Sequence, residues 1–242
     1  LPETPDTMVV IIPASRVPAL LREAGKLGVG SAIIVAGGFR EIGRHDLEEE
    51  LMAASREFGI RYVGPNIHGL NYVPNNLNAV FFPVLKERGA FSIVAGSGTV
   101  ANALACWAED EGVGIGGAIT LGNQSDLCDC DFLEYFADDP NTKAIAVYIE
   151  GVKDGKRFLS TLRRVAAKKS VVVLKGGSTA SGQKSAASHT GALAGDHKVF
   201  ASACRQCGAY VVQDLETLYD AAKTLAMLPP MAGSRVVNIS SS

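Results

Sequence analysis

Short apolar runs alternate with helical patterns along nearly the whole chain. The first series reads TMVVIIP, VPALLREAGKLG, SAIIVAGG, DLEEELMAASREFG and IRYVGPN, which predicts the order strand, helix, strand, helix, strand. The strands are apolar throughout, as expected when helices cover both faces of a parallel sheet. Because the crossovers of such a sheet are right-handed, the pattern predicts a doubly wound α/β fold.

A second series of the same kind starts at Ala90 and predicts five more strands, ending at Gln213. Between the two series, Asn71 to Gly89 is rich in proline and asparagine, which is typical of a linker. We therefore expect an α/β unit over 1–88, a second over 89–230, and the start of a further domain over 231–242. The first unit has three predicted strands and an exposed sheet edge, so we expect another βαβ segment before it.

Composition excludes several function classes. The chain has 242 residues, 47% of them hydrophobic, which is enough to bury a sizeable core. Its net charge of −2 gives no basic stripe for nucleic acid or an anionic membrane. No apolar run reaches the roughly 18 residues that a membrane span needs. We therefore expect a cytoplasmic protein.

The five cysteines form one C-x-C pair, Cys128 and Cys130, and one C-x-x-C pair, Cys204 and Cys207, with Cys106 left over. Each pair is compatible with half of a zinc site or with a redox couple. The C-x-x-C pair lies in an amphipathic run, where small apolar cysteines simply pack. We favour packing and expect no metal site.

Two loops at the expected carboxyl edge of the first sheet have an unusual composition. VAGGFREIG follows the second strand, and VGPNIHGLN follows the third. The paired glycines would let a backbone approach a ligand, Pro65 fixes a turn, and the Asn66 amide can read a polar edge. Each loop alone is explained by turn formation. Two of them at one sheet edge favour a nucleotide-like ligand.

The stretch AGSGTVANAL runs from the first strand of the second series directly into a helix. Gly96 and Gly98 permit a tight turn, Ser97 or Thr99 can cap the helix, and its first N–H groups form an anion site. Since the P-loop lysine is absent, this is not a Walker motif. Glu150 ends the strand KAIAVYIEG at the same edge, either as a solvated carboxylate or as a group that orients a partner.

His189 lies in a long stretch of glycine, serine and alanine between Lys175 and Asp196. Loops of this length inside a compact domain are usually functional, and small neighbours leave the imidazole accessible. It is a candidate metal ligand or nucleophile, and we favour a nucleophile because no partner ligands stand at a readable spacing. A nucleophilic histidine needs a carboxylate and an anion site, which Glu150 and the GSGT turn would supply.

The segments GPNIHGLN, SIVAGSGT, LGNQSDL, EYFADDPNTKAIAVYIEG and AASHTGALAGDHKVFASACRQCGAYVV together resemble the NDP-forming acyl-CoA synthetases, the acetate–CoA ligase (ADP-forming) group. More distantly they resemble the α subunit of succinyl-CoA synthetase. The resemblance implies that 1–88 is the C-terminal part of a Rossmann-like CoA-binding domain. It implies that 89–230 is a flavodoxin-like doubly wound parallel-sheet domain that carries a phosphohistidine loop.

The resemblance also implies an activity, in which acyl-CoA, phosphate and ADP give a carboxylate, CoA and ATP through an acyl phosphate and phosphorylated His189. Glu150 would hold the other ring nitrogen of that histidine, and Asn102 would hold the small carboxylic acid. The implied phosphate-binding residues are Gly96, Ser97, Gly98 and Thr99, and the implied CoA-binding residues are Pro13, Val35, Ala36, Gly37, Pro65 and Asn66. ADP or GDP and Mg²⁺ would bind an ATP-grasp partner in an oligomeric assembly.

The chain departs from the family pattern in three ways. The usual SQSG reads AGSG here, so Ala95 and Gly96 replace a hydroxyl and an amide side chain, and a side-chain contact is lost. The glycine-rich turn that grips CoA and the ATP-grasp domain are both missing from the sequence, so we expect them outside this chain. An alternative is a non-catalytic CoA-sensing module. The presence of both His189 and Glu150 argues against it, because such a module has no need of the two residues together. A flavodoxin-like or NAD-binding oxidoreductase rests on fold analogy alone, since no G-x-G-x-x-G follows a strand.

Overall fold

A computed structural model describes residues 3–81, 85, 87–177, 196–229, 233–235, 237 and 239–240. The N-terminal unit is a three-stranded sheet in the order β1-β2-β3. All its strand pairs are parallel, as the continuously apolar runs predict. The strands are β1 (Thr7–Val10), β2 (Ser31–Ile34) and β3 (Arg61–Val63), connected by α1 (Val17–Lys26) and α2 (His45–Phe58).

The second sheet has seven strands in the order β10-β9-β8-β6-β7-β4-β5. Its strands are β4 (Gly69–Tyr72), β5 (Leu77–Val80), β6 (Arg88–Ala95), β7 (Ile115–Thr120), β8 (Ala144–Ile149), β9 (Ser170–Lys175) and β10 (Tyr210–Val212). The helices are α3 (Gly98–Asp110), α4 (Asp129–Asp138), α5 (Gly155–Ala166), α6 (His197–Gln206) and α7 (Leu215–Met227). The five strands expected after residue 89 are all present, and their pairings are parallel.

Helices cover both faces of the second sheet, so the doubly wound fold is confirmed. On one face α4, α5 and α6 bury side chains such as Phe136, Phe158 and Cys204 against the strands. On the other face α3 and α7 do the same with Leu104 and Leu218. The C-x-x-C pair expected to pack is buried, with Cys204 in the first of these clusters together with Cys207.

The prediction of a linker over Asn71 to Gly89 is wrong in its first half, because residues 69–80 form a hairpin on the edge of the second sheet. β4 pairs antiparallel with both β5 and β7. The asparagines serve this arrangement: the Asn71 side chain accepts from the Ala118 amide at 2.8 Å and donates to Asn78, and Asn76 takes the left-handed turn position (φ 55°). Asparagine tolerates that conformation better than most residues.

The two units are joined where β3 ends. The backbone amides of Asn123, Ser125 and Leu127 donate to carbonyls of residues 62–65, at 3.0 to 3.2 Å. Gly122 has a φ of 54°, and a Cβ there would overlap the carbonyl oxygens of residues 65 and 66. Close backbone approach therefore requires glycine at this contact, which places the carboxyl ends of both sheets side by side.

The boundaries 1–88, 89–230 and 231–242 stay predictions. Of 231–242, the structure describes residues 233–235, 237 and 239–240, and none of these is in a helix or strand. Within the described part of the chain, no helix has the length and apolar character needed to cross a membrane.

Candidate functional site

A cavity of about 900 Å³ opens between the two units, at the carboxyl ends of their strands. Open α/β sheets bind ligands at this edge. The cavity wall is mostly polar and combines a helix start with cationic, anionic and imidazole side chains. Its lining residues are Arg40, Glu41, Gly43, His45, Asn66, His68, Gly96, Ser97, Gly98, Thr99, Gly122, Asn123, Gln124, Glu150, Gly151, Val152 and Lys153.

The start of α3 forms one wall of this cavity. The Gly96 amide donates to the Tyr148 carbonyl at 2.9 Å, which ties the turn to β8. Gly98 lies against the ring of His68, and a Cβ at this position would overlap that ring. The glycines of this turn therefore bring the helix start close to the neighbouring unit as well as to β8.

The prediction that the side chain of Ser97 or Thr99 caps α3 is wrong. No side chain caps this helix, and the Ser97 hydroxyl lies 3.2 Å from the Thr99 hydroxyl instead. A helix start leaves backbone N–H groups without intrahelical acceptors. Without a capping side chain, these donors and the positive end of the helix dipole can serve an anion in the cavity.

Glu150 directly follows β8 and lines the same cavity. A Cβ on Gly96 would lie 3.8 Å from the Glu150 Cγ, so the carboxylate stands beside the α3 turn. Burial raises the pKa of Tyr148, and the neighbouring Glu150 charge adds to the effect. The structure thus brings together the two features that the sequence analysis assigned to a nucleophilic histidine.

On the opposite wall, Glu41 is held by donors from both units. Its carboxylate accepts from the Gly38 and Phe39 amides and, at 2.7 Å, from the side-chain amide of Asn123. Burial alone would raise the pKa of Glu41, but these hydrogen bonds outweigh it and the pKa is lowered. Glu41 is therefore an anion at neutral pH and fixes the loop after β2.

Glu48 extends this network into the protein interior. It is 1% exposed and lies on α2, where it forms an ion pair with Arg40. Its carboxylate also accepts from the Asn123 side chain at 2.8 Å and from the Arg40 amide at 3.3 Å. A buried carboxylate needs such partners because an unpaired charge is costly there. Glu48 thereby aligns Arg40 and Asn123, which line the cavity on either side of the contact between the units.

We expect the substitution Glu48→Ala to lower the free energy of unfolding by about 2–3 kcal/mol, since it leaves the Arg40 guanidinium without its acceptor and the Asn123 amide with Glu41 alone. Urea unfolding measures the change. Glu50→Ala on the same helix is the matched control: its pair with Arg22 is half exposed, with Glu50 51% accessible, and should contribute less than about 1 kcal/mol. Equal losses for the two variants would contradict a special role of Glu48.

Lys153 is the second cation of the cavity. Its ammonium donates to the carbonyls of Asn123 and Gln124 at 2.6 and 2.8 Å. The side chain as a whole is exposed, but protein atoms surround the ammonium group. This desolvation lowers the pKa of Lys153, and the nearby Arg40 charge lowers it further. Two cations, Arg40 and Lys153, thus line the same cavity as the helix start.

The predicted phosphate-binding residues and Glu150 all line the cavity, as does Asn66. Ala36 and Gly37 lie beside Asn66: its amide donates to the Ala36 carbonyl at 2.9 Å, and a Cβ on Gly37 would lie 3.2 Å from its side-chain oxygen. Other predicted CoA-binding residues, Pro13, Val35 and Pro65, follow the ends of β1, β2 and β3 but do not line the cavity.

Asn102 is placed one turn into α3, where its side-chain oxygen lies 3.5 Å from the Cys106 sulfur. It is absent from the cavity wall. His189 and most of its loop lie outside the described residues, and its role stays a prediction. The described ends of that loop are Lys175, which ends β9, and Asp196, which caps α6.

Several lining side chains were not predicted from the sequence, among them Arg40, Glu41, His68, Asn123 and Lys153. Their signals were present but weak. Each follows a strand that ends at the same edge, and Asn123 lies in LGNQSDL, one of the segments that carry the family resemblance. His68 looked ordinary because its contact, Gly98, is 30 positions away in the sequence. Charged residues in loops are common, so position alone does not single these out.

The fold and the cavity define an α/β protein with two units, in which a helix start, a carboxylate and two cations face a cleft between the units. The chain belongs to the succinyl-CoA ligase-like family: the family described as "Succinyl-CoA ligase like flavodoxin domain" matches residues 88–225. A second family, described as "CoA binding domain", matches residues 1–72. The hairpin lies mostly between these two matches.

Curated relatives and solved structures agree with this assignment. The chain is 40% identical over 241 residues to acetate–CoA ligase [ADP-forming] I subunit alpha of Pyrococcus furiosus, covering 99% of this chain and 52% of that protein. It is 37% identical to acetate–CoA ligase [ADP-forming] of Methanocaldococcus jannaschii, covering 96% of this chain and 33% of that one. The chain thus spans about half or less of the curated relatives it matches.

A solved structure has the same fold over nearly the whole chain. It is the dinucleotide forming acetyl-coenzyme A synthetase 1 of Ca. Korarchaeum cryptofilum in complex with phosphate and ADP, with a TM-score of 0.91 and 36% identity. The match covers 96% of this chain and 51% of that one. The predicted fold class, a CoA-binding unit followed by a flavodoxin-like domain, is confirmed.

Proposed function

We propose that this chain is the CoA-binding, phosphohistidine-bearing part of an NDP-forming acyl-CoA synthetase. The observation that carries the proposal is the meeting of an uncapped helix start with Glu150 in one polar cavity. The membership of the chain in the succinyl-CoA ligase-like family supports it. The overall reaction converts acyl-CoA, phosphate and ADP to a carboxylate, CoA and ATP.

In the first step phosphate attacks the thioester carbonyl. A C–O bond forms, the C–S bond breaks, and the thiolate of CoA leaves, which yields an acyl phosphate. The N–H groups at the start of α3, with Gly96, Ser97, Gly98 and Thr99, would hold the phosphate. Arg40 and Lys153 would offset its charge. Phosphoryl chemistry depends mainly on such positioning and charge stabilisation.

In the second step a ring nitrogen of His189 attacks the phosphorus. An N–P bond forms, the P–O bond to the acyl group breaks, and the small carboxylic acid leaves as its carboxylate. Glu150 would accept a hydrogen bond from the other ring nitrogen and stabilise the cationic ring. Asn102 lies on the same face of α3 as Gly98 and Thr99, at i+4 and i+3, where it would orient the carboxylate.

In the third step the phosphoryl group passes from His189 to the terminal oxygen of ADP or GDP. The N–P bond breaks and a P–O bond forms. We place the nucleotide and Mg²⁺ on an ATP-grasp domain or subunit outside this chain. The histidine would then have to reach two sites, the acyl phosphate and the nucleotide. The small side chains around His189 fit this role, because bulky neighbours would obstruct both approaches.

CoA itself would bind on the N-terminal unit. The loops after β2 and β3 are held together at this edge, since Gly37 lets the Asn66 and Glu41 side chains approach closely and the Asn66 amide donates to the Ala36 carbonyl. Pro13, Val35 and Pro65 would line the neighbouring strand ends. A nucleotide-like ligand at this edge is the usual arrangement in open α/β sheets.

A labelling experiment tests the proposal. The chain is incubated with its ATP-grasp partner, Mg²⁺ and ATP labelled in the γ-phosphate, and the labelled protein is tested for stability in acid and in base. We expect a label on this chain that is lost in acid and kept in base, as for phosphohistidine. Calorimetry that shows CoA binding, without any such label, would instead support a CoA-sensing module.

A further inference from the structure

Two thiols meet at the start of α4, and neither of them lines the cavity. Cys128 is the N-cap residue of α4 and is half-buried, while Cys130 is 2% exposed. The two sulfurs and a carboxylate oxygen of Asp129 lie within 4.8 Å of one another. The C-x-C spacing thus places a partly accessible thiol beside a protected one.

The surroundings of Cys128 favour its thiolate. Arg157 donates from Nη1 to the Cys128 sulfur at 3.4 Å, and the sulfur stands at a helix N-terminus; both features stabilise a thiolate. The Cys128 thiol also donates to Asp131 Oδ2 at 3.2 Å, which raises its pKa, as do burial and the carboxylate charges of residues 129 and 131. The hydrogen bond from the Cys130 thiol has the larger effect, and the pKa of Cys128 is lowered. Part of the Asp131 charge is offset by Arg157, whose Nη2 lies 2.6 Å from Oδ1.

Cys130 is the complementary partner. Its hydrogen bond to Cys128 raises its pKa, and burial raises it further, so Cys130 keeps its proton. The geometry therefore pairs a nucleophilic sulfur, open on one side, with a thiol placed to react with it afterwards. This is the arrangement of a reactive cysteine and its resolving cysteine.

The same contacts disfavour a metal ion. The Arg157 guanidinium lies at hydrogen-bond distance from the Cys128 sulfur and would repel a cation there. The Asp129 Oδ1 already accepts from the Cys130 amide at 2.7 Å. A cation bound to the two sulfurs would lie beside the Arg157 guanidinium, whereas oxidation of the thiols places no positive charge there.

We propose that Cys128 and Cys130 form a peroxide-reactive dithiol. The Cys128 thiolate attacks the O–O bond of a hydroperoxide; an S–O bond forms, hydroxide or alkoxide leaves and takes up a proton, and Cys128 becomes a sulfenic acid. The Cys130 sulfur then attacks the Cys128 sulfur, the S–S bond forms, and the S–O bond breaks with release of water. Two thiols lose two electrons, and the peroxide gains them.

Disulfide formation would alter the start of α4. The Cys128 sulfur and the Asp131 carboxylate form reciprocal capping contacts at this helix end, and the Asp129 amide donates to the side chain of Gln124, a cavity residue, at 3.3 Å. The two sulfurs must move to about 2.05 Å apart, which breaks the sulfur cap. We expect the oxidised chain to unfold at a temperature roughly 2–4 °C lower.

The test treats the reduced full chain with hydrogen peroxide, blocks the remaining thiols by alkylation and maps the peptides by mass spectrometry. The peptide with residues 128–130 should lose two hydrogens and escape alkylation. Cys106, which is also half-buried but lacks an adjacent thiol among the described residues, should react at least about tenfold more slowly. Cys128→Ser should abolish the reaction, and Cys130→Ser should leave a sulfenic acid that a dimedone probe captures.

Arg157→Gln should slow the oxidation several-fold, and Lys156→Gln is the matched control because Lys156 is the adjacent exposed cation. The proposal is overturned if Cys106 reacts as fast as the pair or if no bond forms between residues 128 and 130. Equal rates for the Arg157 and Lys156 variants would also overturn it. Phosphorylation of the chain is not measured in this experiment, so its outcome is independent of the proposed function.

Discussion

Replacing His189 with asparagine is expected to abolish the acid-labile phosphoryl label completely. Asparagine keeps a polar side chain of similar reach, but its amide nitrogen is no nucleophile, because its lone pair is delocalised into the carbonyl. Without a group that can form the N–P bond, phosphate cannot pass to the nucleotide. The measurement is label incorporation after incubation with γ-labelled ATP, Mg²⁺ and the ATP-grasp partner, followed by gel separation.

His197→Gln is the control for this variant. His197 is the first residue of α6, C-terminal to the loop that contains His189. It does not line the cavity, so its variant should keep the label. CoA binding, measured by calorimetry, should be the same for both variants and the unmodified chain. A label that persists in the His189 variant would refute the assignment of this histidine.

The second large effect is expected for Glu150→Gln. Glutamine keeps the size and the hydrogen-bonding reach of the side chain but removes the charge that would stabilise the cationic ring during transfer. We expect the rate of label incorporation to fall on the order of 1,000-fold, in the range found for positioned acid–base groups. Rapid-quench measurement of the first turnover isolates this step from product release.

A spectroscopic readout separates a local charge effect from misfolding. The Glu150 charge is one cause, after burial, of the raised pKa of Tyr148. In Glu150→Gln that pKa should therefore fall toward the ordinary tyrosine value without reaching it, because burial remains. Alkaline titration of tyrosine absorbance records the shift.

Glu111→Gln is the matched control for Glu150→Gln. Glu111 follows α3 and pairs with Lys223 at 2.9 Å, away from the cavity wall. It should change neither the transfer rate nor the pKa of Tyr148. A Glu150 variant that transfers phosphate at the normal rate would show that the carboxylate only shapes the loop after β8.

Much of the architecture could be predicted because its signals are local. The runs that became β6, β8 and β9 are continuously apolar, which requires burial on both sheet faces. The turn AGSG and the carboxylate of Glu150 were predicted to share one sheet edge, since parallel strands end there together. These inferences needed only the hydrophobic period and the order of the elements.

The errors arose where distant residues decide the outcome. Residues 69–80 have the composition of a linker, but Asn71 finds the Ala118 amide 47 positions away and completes a strand. Ser97 is a good capping residue by type, yet its hydroxyl faces Thr99 and the helix start stays open. Composition could not predict either result, because both depend on which partner lies nearby in space.

The sequence by itself determined the alternation of strands and helices, the sheet edge that the AGSG turn shares with Glu150, and the family to which the chain belongs. Only the tertiary structure decided which loops meet there: it joined Glu48 to Asn123, placed His68 against Gly98 and set Cys128 beside Arg157. The reason is physical. Hydrophobic period is set by neighbouring residues, whereas a charged or close contact between loops depends on how two separately folded elements pack.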